Sequence, residues 1–127
     1  SGSQRGLCMR VEIASDVPPL VTVDGGALRR ILLNLGANAV RATSRGAVCF
    51  RVCYEDGMLA CAVIDTGAGM TQVQQERLFR AWATCGAEGG AGLGLVLAAE
   101  LAWRMRATLT VVSTRGVGST FELRVPL

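Results

Sequence analysis

The sequence predicts a layered α/β domain built on a mixed sheet, and three observations lead there. Apolar runs with strand-like alternation are interspersed with segments of helical period. The strand signals come in neighbouring pairs joined by tight turns, which implies hairpins and excludes an all-parallel sheet. The 127 residues, 50% of them apolar, suit one compact core with little room for a second. The opening Ser1-Gly2-Ser3 has the character of an expression scar, leaving residues 4–127 as the domain.

Residues 7–14 and 20–23 read as strands on either side of a turn holding Pro18 and Pro19. Asp24 stands at a helix N-cap position. From Ala27 to about Thr43 the apolar residues Leu28, Ile31, Leu32, Leu35 and Ala39 recur on one helical face. Gly46 ends that segment, and residues 47–55 and 58–64 form a strand pair about Glu55-Asp56-Gly57. Thr71 followed by Gln74 forms a capping box for a short helix to about Trp82. The glycine-rich stretch from Cys85 to Gly94 has no regular pattern. A third helix runs from Leu93 to Met105, and a last strand pair, 107–114 and 119–125, turns about Arg115-Gly116-Val117-Gly118. The predicted order is therefore β-β-α-β-β-α-α-β-β.

Composition removes several chemistries. All 13 basic residues are arginine and there is no histidine. Without lysine there is neither a P-loop nor Schiff-base catalysis. Without histidine there is no Ser-His-Asp triad, histidine base or histidine-ligated metal. The five cysteines contain no Cys-x-x-Cys pair, so a zinc site or disulfide framework is not indicated, and they read as small core residues of a reduced, cytoplasmic domain. No apolar run approaches the roughly 18 residues that span a bilayer. A net charge of +3 with scattered arginines does not indicate a nucleic-acid surface.

Three separated segments ask for one ligand. Asn34, Asn38 and Arg41 fall at i, i+4 and i+7 on the long helix, at the rim of its apolar stripe. Magnesium takes oxygen ligands and borrows several from substrate phosphates, so one Asn38 amide oxygen suffices, and Arg41 one turn on suits phosphate oxygens. Taken alone, two asparagines better suit capping or solvating a helix face. Asp65-x-Gly67-x-Gly69 follows a strand; an ionised carboxylate accepts the exocyclic amine of adenine and repels the carbonyl of guanine. A tight turn is the plain alternative. Gly89-Gly90-Ala91-Gly92-Leu93-Gly94 opens a helix, and bare backbone N–H groups at a helix N-terminus suit phosphate. By itself that stretch is also an ordinary flexible loop.

In order and together, these segments resemble the catalytic ATP-binding domain of sensor histidine kinases, within the GHKL superfamily and its Bergerat fold. Leu33-Asn34-Leu35-x-x-Asn38-Ala39-x-Arg41-x-Thr43 resembles the N box and Asp65-Thr66-Gly67-Ala68-Gly69-Met70 the G1 box. Leu78-Phe79-x-x-Trp82 resembles the F box and Gly90-x-Gly92-Leu93-Gly94-Leu95 the G2 box. The resemblance implies a two-layer α/β sandwich, with a mixed, mostly antiparallel sheet of about five strands against three helices. It implies ATP and Mg²⁺ as ligands, with Asn38 on the metal, Arg41 on phosphate and Asp65 on the adenine amine. Gly67 and Gly69 would line the base, Gly90, Gly92, Leu93 and Gly94 would lie along the phosphates as a lid, and Ser119 would place a hydroxyl near the base.

Asn34 stands where hydrolytic members carry a glutamate that activates water, and an amide cannot take that proton. The implied chemistry is phosphoryl transfer to a histidine on a separate dimerisation and phosphotransfer domain of the same protein, with a response regulator downstream. No nucleic acid, no membrane contact by this domain, a monomeric isolated state and a cytoplasmic location, free or as the cytosolic part of a membrane-anchored bacterial sensor, go with that reading. An anti-sigma-factor-type serine kinase, a degenerate kinase domain used for docking, and a hydrolytic ATPase are the rivals. Three departures stand out: Ala42 replaces an aromatic beside the nucleotide, the segment between Met70 and Gly90 is short, and Trp82 replaces the second phenylalanine of the F box. Phe79 and Trp82 serve equally well as core anchors; Arg77 and Arg80 are within a lid's reach of phosphate but better suit solvated charges on a short helix.

Overall fold

The computed structural model describes residues 6–83 and 93–127. Five strands and three helices follow one another as β1 (Leu7–Ile13), α1 (Gly25–Ala42), β2 (Gly46–Glu55), β3 (Met58–Asp65), α2 (Gln72–Ala83), α3 (Leu93–Arg104), β4 (Thr108–Thr114) and β5 (Gly118–Pro126). The sheet order is β1-β2-β3-β5-β4. Only β1–β2 is parallel; β2–β3, β3–β5 and β4–β5 are antiparallel. This is the expected mixed, mostly antiparallel two-layer sandwich.

Local chemistry explains most boundaries. Asp24 caps α1 by accepting from the Ala27 amide at 3.1 Å, and Thr43 closes it with its hydroxyl on the Ala39 carbonyl at 2.8 Å. Asp56 and Gly57 both take positive φ, 52° and 75°, as a two-residue hairpin between β2 and β3 requires. The Thr71 capping box is reciprocal: the Gln74 amide donates to Thr71 Oγ1 at 3.1 Å and the Thr71 amide to Gln74 Oε1 at 2.8 Å.

One expected strand is absent. Residues 20–23 form no strand, and β1 pairs in parallel with β2 instead of folding back on them. Two prolines precede the segment, and Leu20 is 89% exposed, so its apolar alternation meets no sheet to bury against.

The core lies between the helices and one face of the sheet. Ile31, Leu35 and Ala39 of α1 and Leu95, Ala98 and Ala102 of α3 meet Val48, Cys61, Val63, Phe121, Leu123 and Val125. The opposite face is laced by ion pairs, Arg51–Glu12 at 3.0 Å and Arg124–Glu55 at 3.3 Å, which marks it as the solvated side of a two-layer fold. The cysteine reading needs correction. Only Cys61 among the described cysteines is buried, and burial pushes its thiol up to about 11; Cys8 is exposed and Cys49 and Cys53 are half-buried. Cys8 falls on an edge strand, and Cys49 and Cys53 alternate onto the solvated face, where strand periodicity overrides their apolar character.

Candidate functional site

Asp65 is the last residue of β3 and lies opposite Ser119 in the β3–β5 ladder. It is only 3% exposed. Its Oδ1 accepts the Gly67 amide at 2.8 Å, while Oδ2 is buried and accepts no hydrogen bond from a described residue. Desolvation raises its pKa, against the opposing pull of the Gly67 and Ser119 amides. A native fold seldom leaves such an oxygen without a donor.

The turn after Asp65 is stitched to three elements. The Ala68 amide donates to the Ala42 carbonyl at the end of α1 at 3.1 Å, and Thr66 Oγ1 accepts the Ala47 amide of β2 at 2.9 Å. The Gly116 amide donates to the Ala68 carbonyl at 2.6 Å, bringing in the β4–β5 turn. Close approach explains the two glycines. A Cβ on Gly67 would sit 2.7 Å from the Ala42 carbonyl carbon; Gly69 has φ of +70°, and its Cβ would sit 2.6 Å from that of Thr114.

Asn38 lies one helical turn before Ala42 and Asn34 one turn before that, on the same side of α1. Both are half-buried and Arg41 is exposed. At the other end of this face, Gly94 in the first turn of α3 stands 3.9 Å, measured from an ideal Cβ, from the Asn34 side chain. The amide face of α1 therefore runs from the Asp65–Met70 turn to the start of α3. Gly94 lies against Asn34, and Gly67 and Ser119 lie against Asp65; Gly90 and Gly92 lie outside the described residues, as does the side chain of Leu93. No cluster of three acidic, histidine or cysteine side chains exists among the described residues. A lone amide oxygen fits a cation that arrives with phosphate oxygens and does not fit an all-protein cage. A separate cavity of about 350 Å³ lies at the opposite pole, lined by Asp24, Ala27, Leu101, Met105 and Pro126, and holds none of these residues.

Residues 23–127 match the family described as histidine kinase-, DNA gyrase B-, and HSP90-like ATPase. The chain belongs to that family. Aerobic respiration control sensor protein ArcB of Escherichia coli is 38% identical over 129 residues, covering 96% of this chain and 17% of that protein. Sensor protein TorS of the same species is 34% identical over 130 residues, 100% of this chain and 14% of its own length. The chain thus spans about one-sixth of such relatives. Among solved structures, full-length ShkA in complex with AMPPNP superposes with a TM-score of 0.83 at 32% identity, over 98% of this chain and 26% of that one.

Within the family frame, the F-box residues divide. Trp82 is a core anchor: its indole N–H donates to the Leu95 carbonyl at 3.1 Å, and its ring meets Phe121 edge-on at 6.3 Å. Phe79 touches Trp82 at 6.0 Å yet remains 44% exposed. Sequence reasoning missed Ser113 and Gln75. Ser113 Oγ accepts the Met70 amide at 2.8 Å and lies 2.7 Å from Ser119 Oγ, and Gln75 Nε2 donates to the Met70 and Ser113 carbonyls. The available signal was register: pairing the last two strands about their turn sets Ser113 opposite Ser119.

Proposed function

We propose that this domain binds ATP with magnesium along the amide face of α1 and offers the γ-phosphoryl group to a histidine on a separate dimerisation and phosphotransfer domain, in two-component signalling with a response regulator downstream. The buried Oδ2 of Asp65 carries the reading, because it is an acceptor with no hydrogen-bond donor among the described residues, as an adenine amine would require. Full-length ShkA bound to AMPPNP, and the sensor proteins ArcB and TorS, support a nucleotide and a signalling role.

Asp65 selects the base and, held by the Gly67 amide, presents Oδ2 to the adenine amine. Gly67 and Gly69 let the turn close against the backbone of Ala42 and Thr114, where side chains would collide, and so set the backbone that would line the ring. Asn38 supplies an amide oxygen to the cation, and Arg41 supplies positive charge to phosphate oxygens. Bound magnesium neutralises phosphate charge, which is most of what phosphoryl transfer needs. Asn34 withholds a general base, so water is a poor acceptor here. The chain has no histidine, so the acceptor is elsewhere. No described helix is long and apolar enough to cross a membrane.

The test uses a polypeptide joining this domain to a histidine-bearing dimerisation hairpin, with γ-labelled ATP and magnesium. Acid-labile phosphohistidine is expected, and Asn38→Ala should reduce it by at least about a hundredfold, the scale of lost phosphate-clamp electrostatics. Undiminished transfer in Asn38→Ala would remove that residue as the metal ligand, and rapid phosphate release without the hairpin would favour a hydrolytic ATPase.

A further inference from the structure

We propose that Ser113 and Gln75, which lie outside every motif of the candidate site, are positioning residues for purine selection. The inference rests on the adenine reading of Asp65 and extends it to groups that never touch the ligand. The turn carrying Gly67 and Gly69 ends at Met70, and both polar backbone atoms of Met70 are taken. Its amide donates to Ser113 Oγ at 2.8 Å and its carbonyl accepts Gln75 Nε2 at 3.2 Å. Gln75 Nε2 also reaches the Ser113 carbonyl at 3.1 Å, so one amide group ties the first turn of α2, the end of the base-lining turn and β4 together.

The Ser113 hydroxyl is saturated. It accepts from Met70, donates its one proton to the Gly118 carbonyl at 3.3 Å, and with that proton so placed accepts from Ser119 Oγ at 2.7 Å. Ser119 is the direct β5 partner of Asp65, and its amide acts on the Asp65 carboxyl. The connection therefore runs without a gap from α2 through Met70 and Ser113 to the strand pair that presents Asp65. Selection of an amine over a carbonyl demands that the base approach Oδ2 in one orientation. The Ser113–Gln75 clamp leaves the Gly67–Met70 turn one position against β4 and β5, and so leaves the base one orientation.

Calorimetric titrations with magnesium-ATP and magnesium-ITP, which carries a carbonyl in place of the adenine amine, test this on wild type, Ser113→Ala, Ser113→Thr and Gln75→Glu. Gln75→Glu keeps the shape but sets a carboxylate against two carbonyl oxygens. Wild type should prefer ATP. Ser113→Ala and Gln75→Glu should lose about three- to tenfold of that preference, the weight of one or two neutral hydrogen bonds, while Ser113→Thr keeps it. Thermal unfolding on the same samples separates folding from selection, because a merely structural role lowers affinity for both nucleotides alike and leaves their ratio unchanged. An unchanged ratio in Ser113→Ala and Gln75→Glu overturns the positioning role with the adenine reading intact. A wild type that does not distinguish ATP from ITP overturns the adenine reading itself.

Discussion

At the scale of single residues, Asp65 concentrates the conflict between stability and function. Burial raises its pKa above the ordinary 3.8, so the folded protein holds this proton more tightly than the unfolded chain does. Between 3.8 and the raised value, stability contributed by this group falls as pH rises, and the penalty is complete once the carboxyl is ionised. Denaturant unfolding across that window should show wild type losing stability relative to Asp65→Asn as pH increases, with a level difference above it. A difference independent of pH would mean that the carboxyl is not desolvated as described. The same ionisation creates the acceptor, so ATP affinity should drop as pH falls through the raised value. The Asp-x-Gly-x-Gly pattern made this residue legible as an acceptor at a strand end. That one of its oxygens would lack a partner was not legible, because it depends on how Gly67 and Ser119 come to lie around it.

At the scale of elements, structure follows sequence where a local rule decides and departs from it where a partner decides. The α2 capping box and the Asp56-Gly57 hairpin are short-range chemistry, and both formed. Thr71→Ala removes one half of the box and should cost about 1 kcal/mol in a denaturant titration. Unchanged stability would mean that the start of α2 is held by Gln75 and packing alone. Residues 20–23 show the opposite case. Their alternation is that of a strand, but a strand also needs an edge, and the edge of β2 is filled by β1. Trp82 was left between two roles by its spacing; only the position of Phe121 against it makes it an anchor.

At the scale of the molecule, the sheet order puts Asp65 on a central strand, and α1 spans the distance from its turn to the first turn of α3. Four ordered motifs made this architecture legible without coordinates; Asp65-Thr66-Gly67-Ala68-Gly69-Met70, for one, stands where β3 gives way to the turn before α2. Ser113 and Gln75 stayed hidden for a physical reason: their work is done through backbone carbonyls and an amide, across 38 residues of sequence in one bond and 43 in another. A ligand that closes this region should stabilise the whole fold by linkage, about 2.7 kcal/mol at a hundred times Kd.

Titration of the wild-type domain and Asp65→Asn with a non-hydrolysable ATP analogue and magnesium bears on all of this most directly. An asparagine anchored by the Gly67 amide through its oxygen turns an NH₂ group toward the adenine amine, donor against donor. Binding in wild type that largely disappears in Asp65→Asn is the predicted result, and equal affinity in the two proteins would contradict it.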